Sequence, residues 1–84
     1  MSTFKVVKGW SYVSAPTAID AYHIVSAGCT GPTPRVDITS VATGIWKVVF
    51  TWDQVTAADP PAAYQAVGTG CTGPTPDIVQ ITPA

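Results

Sequence analysis

Large apolar side chains recur at every second position from Trp46 to Trp52, where Trp46, Val48, Phe50 and Trp52 alternate with Lys47, Val49 and Thr51. A period of two puts the big groups on one face of a strand. The run Phe4 to Val13 repeats that face with Phe4, Val6 and Trp10, and sets Lys8 where the other run has Phe50. These two runs, Phe4 to Val13 and Trp46 to Val55, are the first and third strands. Alternation then fails, because Val13 and Val55 fall an odd number of residues past the last Trp. A bulge at Ser11-Tyr12 and another at Asp53-Gln54 would return both valines, and Ala15 and Ala57 after them, to the aromatic face.

The pattern changes period downstream. Ala18, Ala21, Tyr22 and Val25 share a helical stripe after Ser14-Ala15-Pro16-Thr17, and Pro60, Ala63, Tyr64 and Val67 share another after the capping Asp59. Short helices are expected over Ala18 to Ala27 and Pro60 to Gly68, with Gly28 and Gly70 ending them in a left-handed cap. The Pro-Thr-Pro segments beyond cannot continue a helix. Alternation resumes at Val36 to Thr39 and Val79 to Thr82, the second and fourth strands, and Ala42-Thr43-Gly44 is short enough to be a hairpin.

The same elements thus occur twice, and the words of the sequence repeat with them. Gly-Cys-Thr-Gly-Pro-Thr-Pro stands at Gly28 to Pro34 and again at Gly70 to Pro76, a spacing of 42 positions in an 84-residue chain. Repeats constrain architecture more than any local propensity does. The reading is a single α+β domain over residues 1–84 with internal repeats 1–42 and 43–84. Its expected plan is ferredoxin-like βαββαβ from tandem duplication of a βαβ unit of about 42 residues, with two helices on one face of a four-stranded antiparallel sheet. Strands one and three would be central, and two and four would be edges. A β-sandwich competes less well, because the helical segments alternate poorly.

Composition sharpens the picture in one respect. Only 11% of residues are charged and 46% are apolar, and the chain has no Glu, Leu or Asn. A helix-centred protein would draw on Leu and Glu, so sheet should outweigh helix. A net charge of −1 with four cations provides no field for phosphates, which sets nucleic acid aside as a partner. No run reaches the roughly 20 apolar residues that cross a bilayer, and Met1 to Lys5 does not begin a signal peptide. The expectation is a soluble, unsecreted protein without a membrane partner.

Candidate chemistry is sparse. A pseudo-twofold that makes the helices antiparallel would send the loops carrying Cys29 and Cys71 to opposite ends of the molecule, too far apart for a disulfide, so the sequence predicts small buried free thiols. His23 is the chain's one histidine and no Cys-x-x-Cys accompanies it, so no metal ligand set is assigned, and no cofactor. Asp20, His23 and Ser26 lie on one helix without the makings of a triad, and no catalytic residue is assigned. The repeated loops, Gly28, Cys29, Thr30 and Gly31 with Gly70, Cys71, Thr72 and Gly73, are a candidate binding surface, although helix ends need such residues in any case. Trp10, Trp46, Trp52, Phe4 and Phe50 on the central strands match topologically the base-stacking aromatics of single-stranded RNA readers. The bulged register turns these rings toward the helices instead, as core.

That register leaves Lys5, Val7, Gly9, Lys47, Val49 and Thr51 on the open face of the sheet, half apolar and flat, as a candidate interface. The functional expectation is a non-enzymatic structural or assembly protein acting by protein–protein contact with itself or with an assembly component. A small virion-associated protein that decorates or cements a phage capsid is the particular form expected, by analogy of composition. The alternative is a soluble regulatory or small-ligand-binding module that dimerises through its sheet face. The divergence of Lys8 from Phe50 further predicts a large cost for Phe50→Ala and a small one for Lys8→Ala.

Overall fold

A computed structural model describes residues 1–84 and places six elements along the chain: β1 (Ser2–Ser14), α1 (Ala18–Val25), β2 (Arg35–Ala42), β3 (Ile45–Ala57), α2 (Pro60–Val67) and β4 (Ile78–Pro83). The strands form one antiparallel sheet in the order β2-β3-β1-β4, so β1 and β3 are central. Each strand extends a residue or more beyond the expected runs at one end or both, and each helix is one to two residues shorter than expected. The molecule is a small α+β protein.

Helix starts follow the capping signals. Thr17 Oγ1 accepts from the Asp20 N–H at 3.2 Å, and Asp59 Oδ1 accepts from the Ala62 N–H at 2.9 Å. The ends differ from expectation by two residues. Ser26 and Gly68 are the C-caps, and Gly28 and Gly70 adopt φ of +74° and +73° only afterwards. Each closes a further turn, in which Cys29 N–H donates to Ser26 O and Cys71 N–H to Gly68 O. Glycine is needed there because an L side chain is strained at that φ.

Both bulges form where the alternation broke. Between the pairs Trp10↔Val48 and Val13↔Trp46, β1 spends two residues, Ser11 and Tyr12, against one of β3; between Phe4↔Val55 and Val6↔Trp52, β3 spends Asp53 and Gln54 against Lys5. The extra residues restore the inward register, so Val13, Ala15, Val55 and Ala57 are buried with Trp10 and Trp52. One core results. Val6, Val48, Val25 and Val67 are its most enclosed side chains, joined by Ala21 and Ala63 where α1 and α2 approach the sheet. Small residues at those helix positions let the backbone come close.

The two helices do not lie alongside each other. Each is eight residues, about 12 Å at the usual rise, on a molecule 43 Å in its longest dimension. They end near the middle of the sheet, with their C-terminal turns facing one another and the loops beyond them crossing. Gly31 comes against the last turn of α2 and Gly73 against the last turn of α1; a Cβ on either would stand 2.9 Å from Ala66 O or 2.6 Å from Ile24 O.

That geometry overturns the expectation of separated free thiols. Cys29 and Cys71 form a disulfide, with Cα atoms 4.1 Å apart, and both residues are exposed. Antiparallel helices were expected to send these loops to opposite ends of the molecule; instead the last turn of each helix lies against the other's loop, Gly31 at Ala66 and Val67 and Gly73 at Ile24 and Val25, which brings the two cysteines together. Reciprocal hydrogen bonds fasten the crossing: Thr30 N–H donates to Thr69 O at 3.0 Å and Thr72 N–H to Ala27 O at 2.9 Å.

Candidate functional site

Trp10 and Trp52 tie the crossed loops to the sheet. Both rings are buried in the core, and each still has an indole N–H that needs an acceptor. Trp10 Nε1 donates to Pro74 O at 2.9 Å, and Trp52 Nε1 to Pro32 O at 2.8 Å. Each half's tryptophan therefore holds the other half's loop. Cys29, Thr30 and Gly31 thus come together with Cys71, Thr72 and Gly73 in one cluster at the meeting of the helix ends. The repeated loops form one cluster rather than two.

Beneath this cluster lies a cleft of about 310 Å³ between the loops, the C-terminal turns of both helices and the sheet. Its floor is the directly opposed pair Lys8 and Phe50. Phe50 packs edge-on against Trp10 at a centroid distance of 5.1 Å and lies 5.7 Å from Tyr22. Lys8 occupies the matching niche, its Nζ 4.6 Å from the Tyr64 ring centre and 5.7 Å from that of Trp52. Both distances are within cation–π range. Gly68 accommodates the ammonium: a Cβ there would stand 2.9 Å from Nζ, whereas the other half has Ser26 at the corresponding place, its Oγ donating to Tyr22 O.

Lys8 is only 5% exposed and has no carboxylate partner; the chain's one ion pair is Arg35–Asp53 at 3.4 Å on the surface. Burial lowers the pKa of the ammonium from its ordinary value. The sequence signal for this residue was its inward register among Phe4, Val6 and Trp10. What it could not show was the pair of rings that receives it, since Tyr64 is 56 positions away.

The candidate interface residues also share one surface. Val7 pairs with Thr51 and Gly9 with Val49, with Lys5 and Lys47 exposed beside them. Gly9 and Thr51 are recessed, and a Cβ at Gly9 would meet the Ile78 side chain at 3.0 Å. The centre of the face is therefore Val7, Val49 and Ile78. All three exposed cations, Lys5, Arg35 and Lys47, share this face with Asp37, which pairs with Val49. Nothing in the chain covers it.

At one margin Asp77 Oδ1 accepts from the bulged Ser11 N–H at 2.9 Å. Hydrogen bonds from Ser11, its hydroxyl first and then its backbone N–H, hold the Asp77 carboxyl below its ordinary pKa. A depressed carboxyl stabilises the fold above its unfolded pKa of about 4, and that contribution is lost as pH falls through the folded value. Acid titration of stability is expected to be shallower in Asp77→Asn than in the parent chain. Superimposable acid limbs would show that the contact is inconsequential.

His23 and Asp20 are exposed on α1 and do not pair. Comparison with protein-family models, with curated proteins and with solved structures finds no match to this chain. No helix is long and apolar enough to cross a membrane.

Proposed function

We propose that this is a non-enzymatic structural protein acting by protein–protein contact, with copies associating through the open sheet face as accessory components of a particle of the phage-capsid decoration or cement type. The observation that carries the reading is the uncovered face: an apolar centre of Val7, Val49 and Ile78 with a rim of mixed charge, on a sheet whose other side is filled by its own helices. Self-association suits such a rim, since Lys5 and Lys47 of one copy can meet Asp37 of another. The disulfide fits a protein that works outside a reducing cytosol, as a component of a released particle does.

The reading extends to the origin of the fold, a ferredoxin-like plan built by duplicating a βαβ unit. Its support is the central position of β1 and β3, the bulge at the same repeat position in each, and the way repeat-equivalent residues meet at the disulfide. A charge at the centre of the face tests the contact. Val49→Lys is expected to abolish association and to leave the melting temperature close to that of the parent, because the side chain is outside the core. Association that survives the substitution would sink the assignment of this face.

A further inference from the structure

The cleft under the disulfide has the features of a ligand site that the contact on the open face does not use. Its lining is aromatic, with Trp10, Tyr22, Trp52 and Tyr64 around the Phe50 of its floor. Its volume, about 310 Å³, is at the small end of organic-ligand pockets. Four prolines, Pro32, Pro34, Pro74 and Pro76, and the cross-link between Cys29 and Cys71 stiffen its rim, so little order would have to be gained on binding. Into this space a lysine that is 95% buried presents an ammonium with no carboxylate to neutralise it.

We propose that the cleft binds a small aromatic monocarboxylate, its carboxylate on the Lys8 ammonium and its ring against the aromatic walls. The surroundings select within the class of anions. Both helices end at the cleft, and the carbonyl ends of α1 and α2 carry partial negative charge. They oppose a multiply charged, strongly hydrated anion such as phosphate, whereas a monoanion with a flat apolar body loses less and gains the walls. A cationic ligand is disfavoured, because Lys8 already occupies the faces of Tyr64 and Trp52 that would receive it.

The test is a titration of the intact, oxidised chain with benzoate, benzamide and inorganic phosphate, followed by calorimetry and by the NMR signals of the Trp10 and Trp52 indole N–H groups. Benzoate is expected to bind about tenfold or more tighter than the neutral amide, the value of a charge-assisted hydrogen bond, and tighter than phosphate. Both indole signals should shift. Lys8→Met keeps the length of the side chain and removes the charge, and should abolish the preference for benzoate over benzamide. Equal binding of benzoate and benzamide by the parent chain, no binding of benzoate, or binding that leaves both indole signals unmoved would overturn the proposal without reference to any variant.

Discussion

Phe50→Ala is expected to destabilise the protein by about 3–5 kcal/mol, the usual cost of deleting a buried phenyl ring. Phe50 is 3% exposed and touches three other rings, Trp10, Tyr22 and Trp52, at centroid distances of 5.1, 5.7 and 6.0 Å. The loss therefore combines transfer free energy with edge-to-face contacts that have no substitute. Its neighbours cannot close the gap cheaply, since Trp10 is fixed by its bond to Pro74 O and Phe50 lies on a central strand. For a domain of this size the melting temperature should fall by about 15–30 °C. A fall of only a few degrees would mean that the ring is not enclosed as described. Lys8, directly opposite Phe50, behaves differently. That position was expected from the sequence to be inexpensive to truncate, but the structure buries the side chain, with its ammonium against the Tyr64 and Trp52 rings. Replacement by Met, which retains the stem and removes the desolvated charge, is therefore expected to leave stability at least as high as in the parent.

Removing the cross-link by Cys29→Ala with Cys71→Ala is expected to cost a comparable amount by a different route. The two cysteines are 42 positions apart, and closing a loop of that length in the unfolded chain corresponds to about 4 kcal/mol of denatured-state entropy. The native loops should stay in place. Thr30 N–H to Thr69 O, Thr72 N–H to Ala27 O and the two indole bonds to Pro32 and Pro74 hold them without the sulfurs. Urea unfolding should accordingly give a lower midpoint and a steeper slope, because the uncross-linked unfolded chain exposes more surface. Unfolding indistinguishable from that of the oxidised parent would show that the bridge adds no constraint.

The sequence revealed local structure far better than it revealed the meeting of distant parts. Alternation from Trp46 to Trp52 identified the buried face, and the odd interval to Val55 located a bulge to the residue, because a period of two leaves no other way to return Val55 inward. Thr17 and Asp59 marked the helix starts through hydrogen bonds that span three residues. The disulfide was not legible. It depends on where the two helix ends come to lie relative to each other on the sheet, which no local pattern in the sequence states. The cleft was hidden for the same reason: Lys8, Tyr64 and Trp52 come together only through sheet pairing and the packing of α2. Lys8 on the aromatic face of β1 was the available hint, a charge in an inward register that needs a partner.

Light scattering coupled to size-exclusion chromatography over a hundredfold range of protein concentration tests the contact assigned to the open sheet face most directly. The chain mass is 8.7 kDa. The expected result is a molar mass that rises to a small multiple of this value as concentration increases, and that stays at the single-chain mass throughout in Val49→Lys. A parent chain that remains at 8.7 kDa at every concentration would contradict association of copies through Val7, Val49 and Ile78.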